Sequence, residues 1–207
     1  MAAYALLASV LDYPGPETAS QVRDCITELA AKHPEASKLI VDFEAERARM
    51  SLGQLQEIYT STFDMRPDCT PNLGYHLFGN DARRNIFLAQ LKERMQAQHI
   101  DIGTELPDHL SLVLRLLERQ GSGAESHVLI HDCLIPAVSQ MVEALDQKSS
   151  SNLYSNVLRA LLILLRRESG VEAVAAEAVD RHPARVIPAK AGIQLLPDRR
   201  GPPLSRG

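Results

Sequence analysis

The chain has 207 residues, a formal net charge of −4, 45% hydrophobic and 4% aromatic residues, and no Trp. That length suits one substantial core, and an abundance of Leu and Ala with few aromatics favours helix over strand. No apolar run approaches the ~20 residues of a membrane span, and the opening Met1-Ala-Ala-Tyr4 lacks the basic start of a signal peptide.

Three widely spaced cysteines, Cys25, Cys69 and Cys133, fit a reducing compartment better than a disulfide framework, so a cytoplasmic location is expected. The charge is uneven. Residues 181–207 carry six Lys/Arg against Asp198 alone, while the preceding 180 residues hold 16 Lys/Arg and 25 Asp/Glu. An acidic body argues against nucleic acid as a partner and suits a basic one.

In chain order, residues 2–12 read as a short apolar helix stopped by Pro14-Gly15-Pro16. A second helix from near Glu17 to His33 buries Val22, Ile26, Leu29 and Ala30. Pro34 opens a third with the stripe Ala36, Leu39, Ile40 and Phe43. Ser51 and Gln54 form a capping box for a helix carrying Leu55, Tyr59, Thr62 and Phe63, which ends at Asp64-Met-Arg-Pro67.

The stretch to Gly79 reads as a loop holding one helical turn at Leu73–Phe78. Asn80 or Asp81 then caps a long amphipathic helix through His99, with Phe87, Leu88, Leu91 and Met95 inward. Pro107 fits the first position of the next helix, whose stripe is Leu110, Val113, Leu114 and Leu117, broken at Gly121-Ser-Gly123. A helix from Ala124 to about Gln147 is bent or divided at Pro136. Asn152 caps the Leu-rich helix Leu153–Arg167, the one expected to be most buried.

The expected fold is therefore all-α: a single-domain bundle of about eight or nine helices over residues 1–177. Residues 178–207 form a Pro/Gly/Arg-rich tail with no helical period, expected to be disordered. Within it, Arg185-Val-Ile-Pro-Ala-Lys-Ala-Gly-Ile-Gln194 resembles the translation of a dispersed bacterial repeat element.

Signals for chemistry are sparse. His127 and His131 share a helix face beside Asp132, which allows an alternative reading as a metal-dependent helical phosphohydrolase. His76, Asp108 and His109 are the only further donors that reading could recruit. Gly121-Ser-Gly123 lacks a phosphate-loop lysine and a preceding strand, and the acids beside Cys69 disfavour its thiolate.

With Pro107 at the first helical position, Asp108 and His109 fall in the first turn, where the dipole favours the acid and opposes a protonated imidazole. Tyr59, Phe63, Tyr75, His76 and Phe78 concentrate aromatic rings near Glu105 and Asp108. Rings beside carboxylates suit a groove for an amphipathic basic peptide; the plain alternative leaves Phe63 and Phe78 in the core. A helical scaffold with no peptide specificity is a third reading.

Tyr59-Thr-Ser-Thr-Phe63-Asp-Met-Arg-Pro-Asp-Cys69, Leu73-Gly-Tyr-His-Leu-Phe-Gly79 and Glu105-Leu-Pro-Asp-His-Leu110 resemble the NarJ-type chaperones of respiratory nitrate reductase. These belong to the all-helical molybdoenzyme chaperones related to TorD and DmsD. The resemblance runs from about Tyr4 to Leu165 and is lost beyond about Glu177.

It implies a protein that is not an enzyme and binds no metal, and that keeps no cofactor of its own, the molybdenum cofactor being handled at most indirectly. It implies one partner, the apo catalytic (alpha) subunit of nitrate reductase. That subunit's N-terminal peptide would be held while molybdenum cofactor and iron–sulfur clusters enter, before membrane attachment. Neither nucleic acid nor membrane insertion is implied. The acid-Pro-Asp-His element shared by the wider group falls on Glu105, Pro107, Asp108 and His109. Tyr59, Phe63, Tyr75, His76 and Phe78 are the candidate groove walls.

Overall fold

Ten α-helices follow one another in the computed structural model, which describes residues 2–147 and 152–169. They are α1 (Ala2–Val10), α2 (Thr18–Lys32), α3 (Pro34–Arg47), α4 (Leu52–Tyr59), α5 (Leu73–Phe78), α6 (Arg83–Ala97), α7 (Leu110–Gln120), α8 (Ala124–Val128), α9 (Ile135–Asp146) and α10 (Leu153–Glu168). No strand is formed among the described residues, so the all-α expectation holds. Residues 148–151, the last stretch of the expected 1–177 domain from residue 170, and the whole 178–207 tail lie outside them.

Periodicity explains the packing. Helix α10 buries nine residues, among them Tyr154, Leu158, Leu161 and Leu165, and lies against α3 and α9. Helix α1 packs on α2 and α7, and α7 buries Leu110, Val113, Leu114 and Leu117 as its stripe requires. Of the expected inward residues, Ile26, Leu39 and Leu88 are only partly covered, and Ala30 is exposed because the buried stripe of α2 runs through Val22, Cys25 and Leu29 instead. The capping box forms as read: Ser51 Oγ accepts from Gln54 N, and Gln54 Oε1 accepts from Ser51 N. Asn152 Oδ1 accepts from Tyr154 N and caps α10.

Two features depart from regular helix. Helix α4 runs on into a π turn over Thr60–Asp64, closed by Met65 N donating to Thr60 O at 3.0 Å. A second π turn, Leu129–Leu134, joins α8 to α9 immediately before Pro136. Proline lacks an N–H and its ring crowds the carbonyl four residues back, so the helix takes up an extra residue there.

The continuous helix Ala124–Asp146 spans 23 residues and is long and apolar enough, by length and composition, to cross a membrane. It holds no long uninterrupted apolar run, because polar residues such as His131, Asp132, Ser139 and Gln140 are spread along it. Its inner residues, including Leu129, Leu134, Val138 and Met141, belong to the bundle core.

One expected boundary is corrected. Asp108 and His109 are not in the first turn of α7: the helix starts at Leu110, with His109 extended at φ −62°, ψ 129°. Leu110 N donates to Pro71 O and Leu73 N donates to Asp108 O, forming an antiparallel bridge between Asn72 and His109. These tertiary bonds satisfy the backbone groups that a longer helix would have used. Helix α6 likewise begins at Arg83, and Asp81 Oδ1 accepts from Arg83 N ahead of it.

Candidate peptide-binding site

A cleft of about 610 Å³ opens between the end of α1, the π turn after α4, the 70–72 segment and the start of α7. Tyr59 and Phe63 line its inner side, and both are largely core residues, 4% and 2% exposed. The Tyr59 ring lies 4.9 Å from Phe63 and 5.6 Å from Tyr154, and its hydroxyl donates to Leu11 O. The wider π turn brings Asp64 as well as Phe63 to the cleft.

Carboxylates stand around the opening: Asp12, Asp64 and Glu105. Arg115 reaches in from α7 but is paired with Asp12. Three of the exposed large hydrophobic residues adjoin this ring of acids, namely Tyr13 in the lining, Met65 after Asp64 and Leu106 after Glu105. Acids alternating with apolar side chains make a surface suited to an amphipathic cation.

His109 also faces the cleft, with Nδ1 2.9 Å from Ser111 Oγ. Burial pulls its pKa below the ordinary imidazole value, against the opposing pull of Glu105, Asp12 and Asp108. His76 is lowered for the same first reason, and its Nε2 sits 2.7 Å from Thr70 O, tying α5 to the 70–72 segment.

The unfolded chain protonates such rings near the ordinary value of 6.5, before the folded protein does. Stability from these two rings is therefore present above that pH and is lost as pH falls below it. The urea midpoint should drop between about pH 7 and pH 5.5, and the drop should be smaller in His76→Asn/His109→Asn. Equal slopes in the two proteins would remove the assignment.

The residues singled out from sequence divide. Tyr59, Phe63, Glu105 and His109 line the cleft. Tyr75, His76 and Phe78 lie on α5 outside it, each partly covered, and Phe78 packs on Phe87 of α6 at 5.5 Å. Asp108 is 0% exposed and faces α5 and α6: Oδ2 accepts from Gly74 N at 3.0 Å and lies 3.4 Å from Arg84 Nη2. Extended backbone sends neighbouring side chains to opposite sides, which separates Asp108 from His109.

Asp12, Tyr13, Asp64 and Arg115 were not anticipated in the lining. Arg115 could have been noticed as the single charge within Leu110–Leu117, and Tyr13 as an aromatic beside an acid just past a helix end.

His131 Nδ1 lies 2.8 Å from Asp132 Oδ1, and its ring stacks on His127 at 6.2 Å. No cluster of three or more His, Cys, Asp or Glu able to hold a metal assembles among the described residues. The donor set that the phosphohydrolase reading calls for is not brought together there. The Cys69 thiol, buried against the core, is pushed up to about 12, chiefly by desolvation.

Comparison with curated proteins gives no match. Residues 19–149 match the family model described as nitrate reductase delta subunit, so the chain belongs to that family of molybdoenzyme assembly chaperones.

Proposed function

We propose that this protein captures the N-terminal segment of the apo catalytic subunit of nitrate reductase in the cleft between α1, α4 and α7. It holds that segment in the cytoplasm until molybdenum cofactor and iron–sulfur clusters have entered, and so delays attachment to the membrane. It catalyses no reaction and leaves the finished enzyme. One observation carries the reading: in a chain of this family, an aromatic-floored cleft opens through three carboxylates flanked by exposed apolar side chains.

Burial of an apolar stripe on Tyr59 and Phe63 would supply affinity, and Asp64 and Glu105 would orient basic residues at the mouth. Asp12 is already engaged by Arg115 and contributes less free charge. His76 and Asp108 support the 70–72 wall from behind in this account, through Thr70 O and Leu73 N, while Tyr75 and Phe78 lie on α5 away from it.

The test is a titration of the purified protein with a fluorescent peptide of the catalytic subunit's N-terminus. Saturable one-to-one binding that weakens as salt rises is expected, since exposed charges are screened within ~8 Å at physiological ionic strength. A peptide that shows no saturable binding removes this function.

A further inference from the structure

Asp108 is wholly buried, yet it belongs to the sequence element from which peptide contacts are expected. We propose that Asp108 is a positioning residue: with Gly74 and Arg84 it latches α5 to the 105–110 segment, setting the cleft wall at Asn72 and His109 without touching the bound peptide. The proposal rests on the peptide-binding function above for its ligand, but not for the latch itself.

Asp108 grips the first turn of α5 twice. Its backbone carbonyl accepts from Leu73 N at 2.9 Å, and its carboxylate accepts from Gly74 N at 3.0 Å. Arg84 Nη2, on α6, lies 3.4 Å from the same carboxylate oxygen. The other oxygen, Oδ1, is buried and finds no hydrogen-bond partner among the described residues. Leaving that oxygen unpaired is costly, and Asp108 is absent from the cleft lining, so the contacts to Gly74 and Arg84 are what hold the carboxylate.

Gly74 shows how closely the parts fit. A Cβ there would come within 2.7 Å of Asp108 Oδ2 and 3.1 Å of Arg84 Cγ, so any larger residue forces the latch open. The bond from Leu110 N to Pro71 O continues the same ladder, and both Pro71 and Asn72 line the cleft. Next to Asp108 in the chain, His109 turns the other way, into the cleft. Releasing the carboxylate thus frees both sides of the bridge that carries the wall.

The experiment compares Asp108→Asn, Gly74→Ala and their double variant with Glu105→Gln at the mouth. Arg84→Gln serves as a milder probe if either of the first two does not fold. In the ligand-free proteins, hydrogen exchange at the Leu73 and Leu110 amides and the His109 ring resonance are read by NMR.

Opening the latch should speed exchange at both amides by about tenfold and shift the His109 resonance; Glu105→Gln should do neither. Affinity for the labelled N-terminal peptide should fall by roughly tenfold in each latch variant, and no further in the double variant, because both break one unit. The salt dependence of the affinity should stay as in the unaltered protein for Asp108→Asn and flatten for Glu105→Gln.

The proposal is overturned if Asp108→Asn flattens the salt dependence while Gly74→Ala binds normally, since Asp108 would then meet the peptide's charge directly. It is equally overturned if neither latch variant moves the His109 resonance or the two amides. If the unaltered protein binds no peptide, the functional reading fails, and the exchange and ring data still judge the latch.

Discussion

Reversing both charges at the cleft mouth, Asp64→Lys with Glu105→Lys, should weaken peptide capture by roughly 100-fold or more while leaving the fold intact. Both carboxylates are exposed, and neither takes part in an ion pair among the described residues. Their replacement therefore removes no native contact of consequence, and surface changes of this kind usually shift stability by less than about 0.5 kcal/mol.

For a basic peptide, each lysine replaces an attraction by a repulsion at the moment of docking. Such repulsion discriminates more strongly than the loss of an attraction alone. The check is fluorescence anisotropy with the labelled peptide, alongside a thermal melt. As a comparison, Tyr75→Ala on α5 should leave the dissociation constant within about threefold, because that ring lies outside the cleft. Should the mouth variant bind normally and Tyr75→Ala bind poorly, the groove belongs on the α5 face instead.

That contrast follows from what a single chain reveals and what it conceals. Helical period located the buried stripes of α7 and α10, and local chemistry located the Ser51–Gln54 box and the break before Pro136. These are effects between residues a few positions apart. The site depends on contacts of a different kind.

The Asn72–His109 bridge joins two segments with all of α6 between them, and no local pattern announces it. Without that bridge, Pro107 is a natural helix start, and Asp108 and His109 look like neighbours on one turn. With it, one is buried behind the wall and the other forms part of the wall. The aromatic cluster is concealed in the same way. Tyr59 and Phe63 are close in sequence, but the ring that backs both is Tyr154, on the last described helix.

Tyr154 consequently carries the largest expected effect on stability. It is fully buried, with ring centroids 5.1 Å from Phe63, 5.5 Å from Phe43 and 5.6 Å from Tyr59. Truncation to Ala removes a ring from the middle of this cluster and should cost about 4 kcal/mol, transfer and cavity contributions together. At this chain length that corresponds to a thermal midpoint lower by about 10 °C.

The hydroxyl acts in the opposite direction. Tyr154 Oη is buried and has no hydrogen-bond partner among the described residues, so it has lost its water without replacement. Tyr154→Phe should therefore stabilise the protein by about 1 kcal/mol while keeping every ring contact. Urea unfolding of the two variants separates these contributions. A Tyr154→Phe protein less stable than the original would mean that the hydroxyl has a partner, and the unpaired assignment would fall.

The peptide assay adds a functional readout to the pair. Tyr154 backs the two rings that floor the cleft, so Tyr154→Ala should weaken binding through a displaced Tyr59 and Phe63, and Tyr154→Phe should leave it unchanged. If Tyr154→Ala remains folded and binds the peptide as tightly as the original protein, Tyr59 and Phe63 are core residues only, and the affinity must come from the carboxylates and the exposed apolar rim.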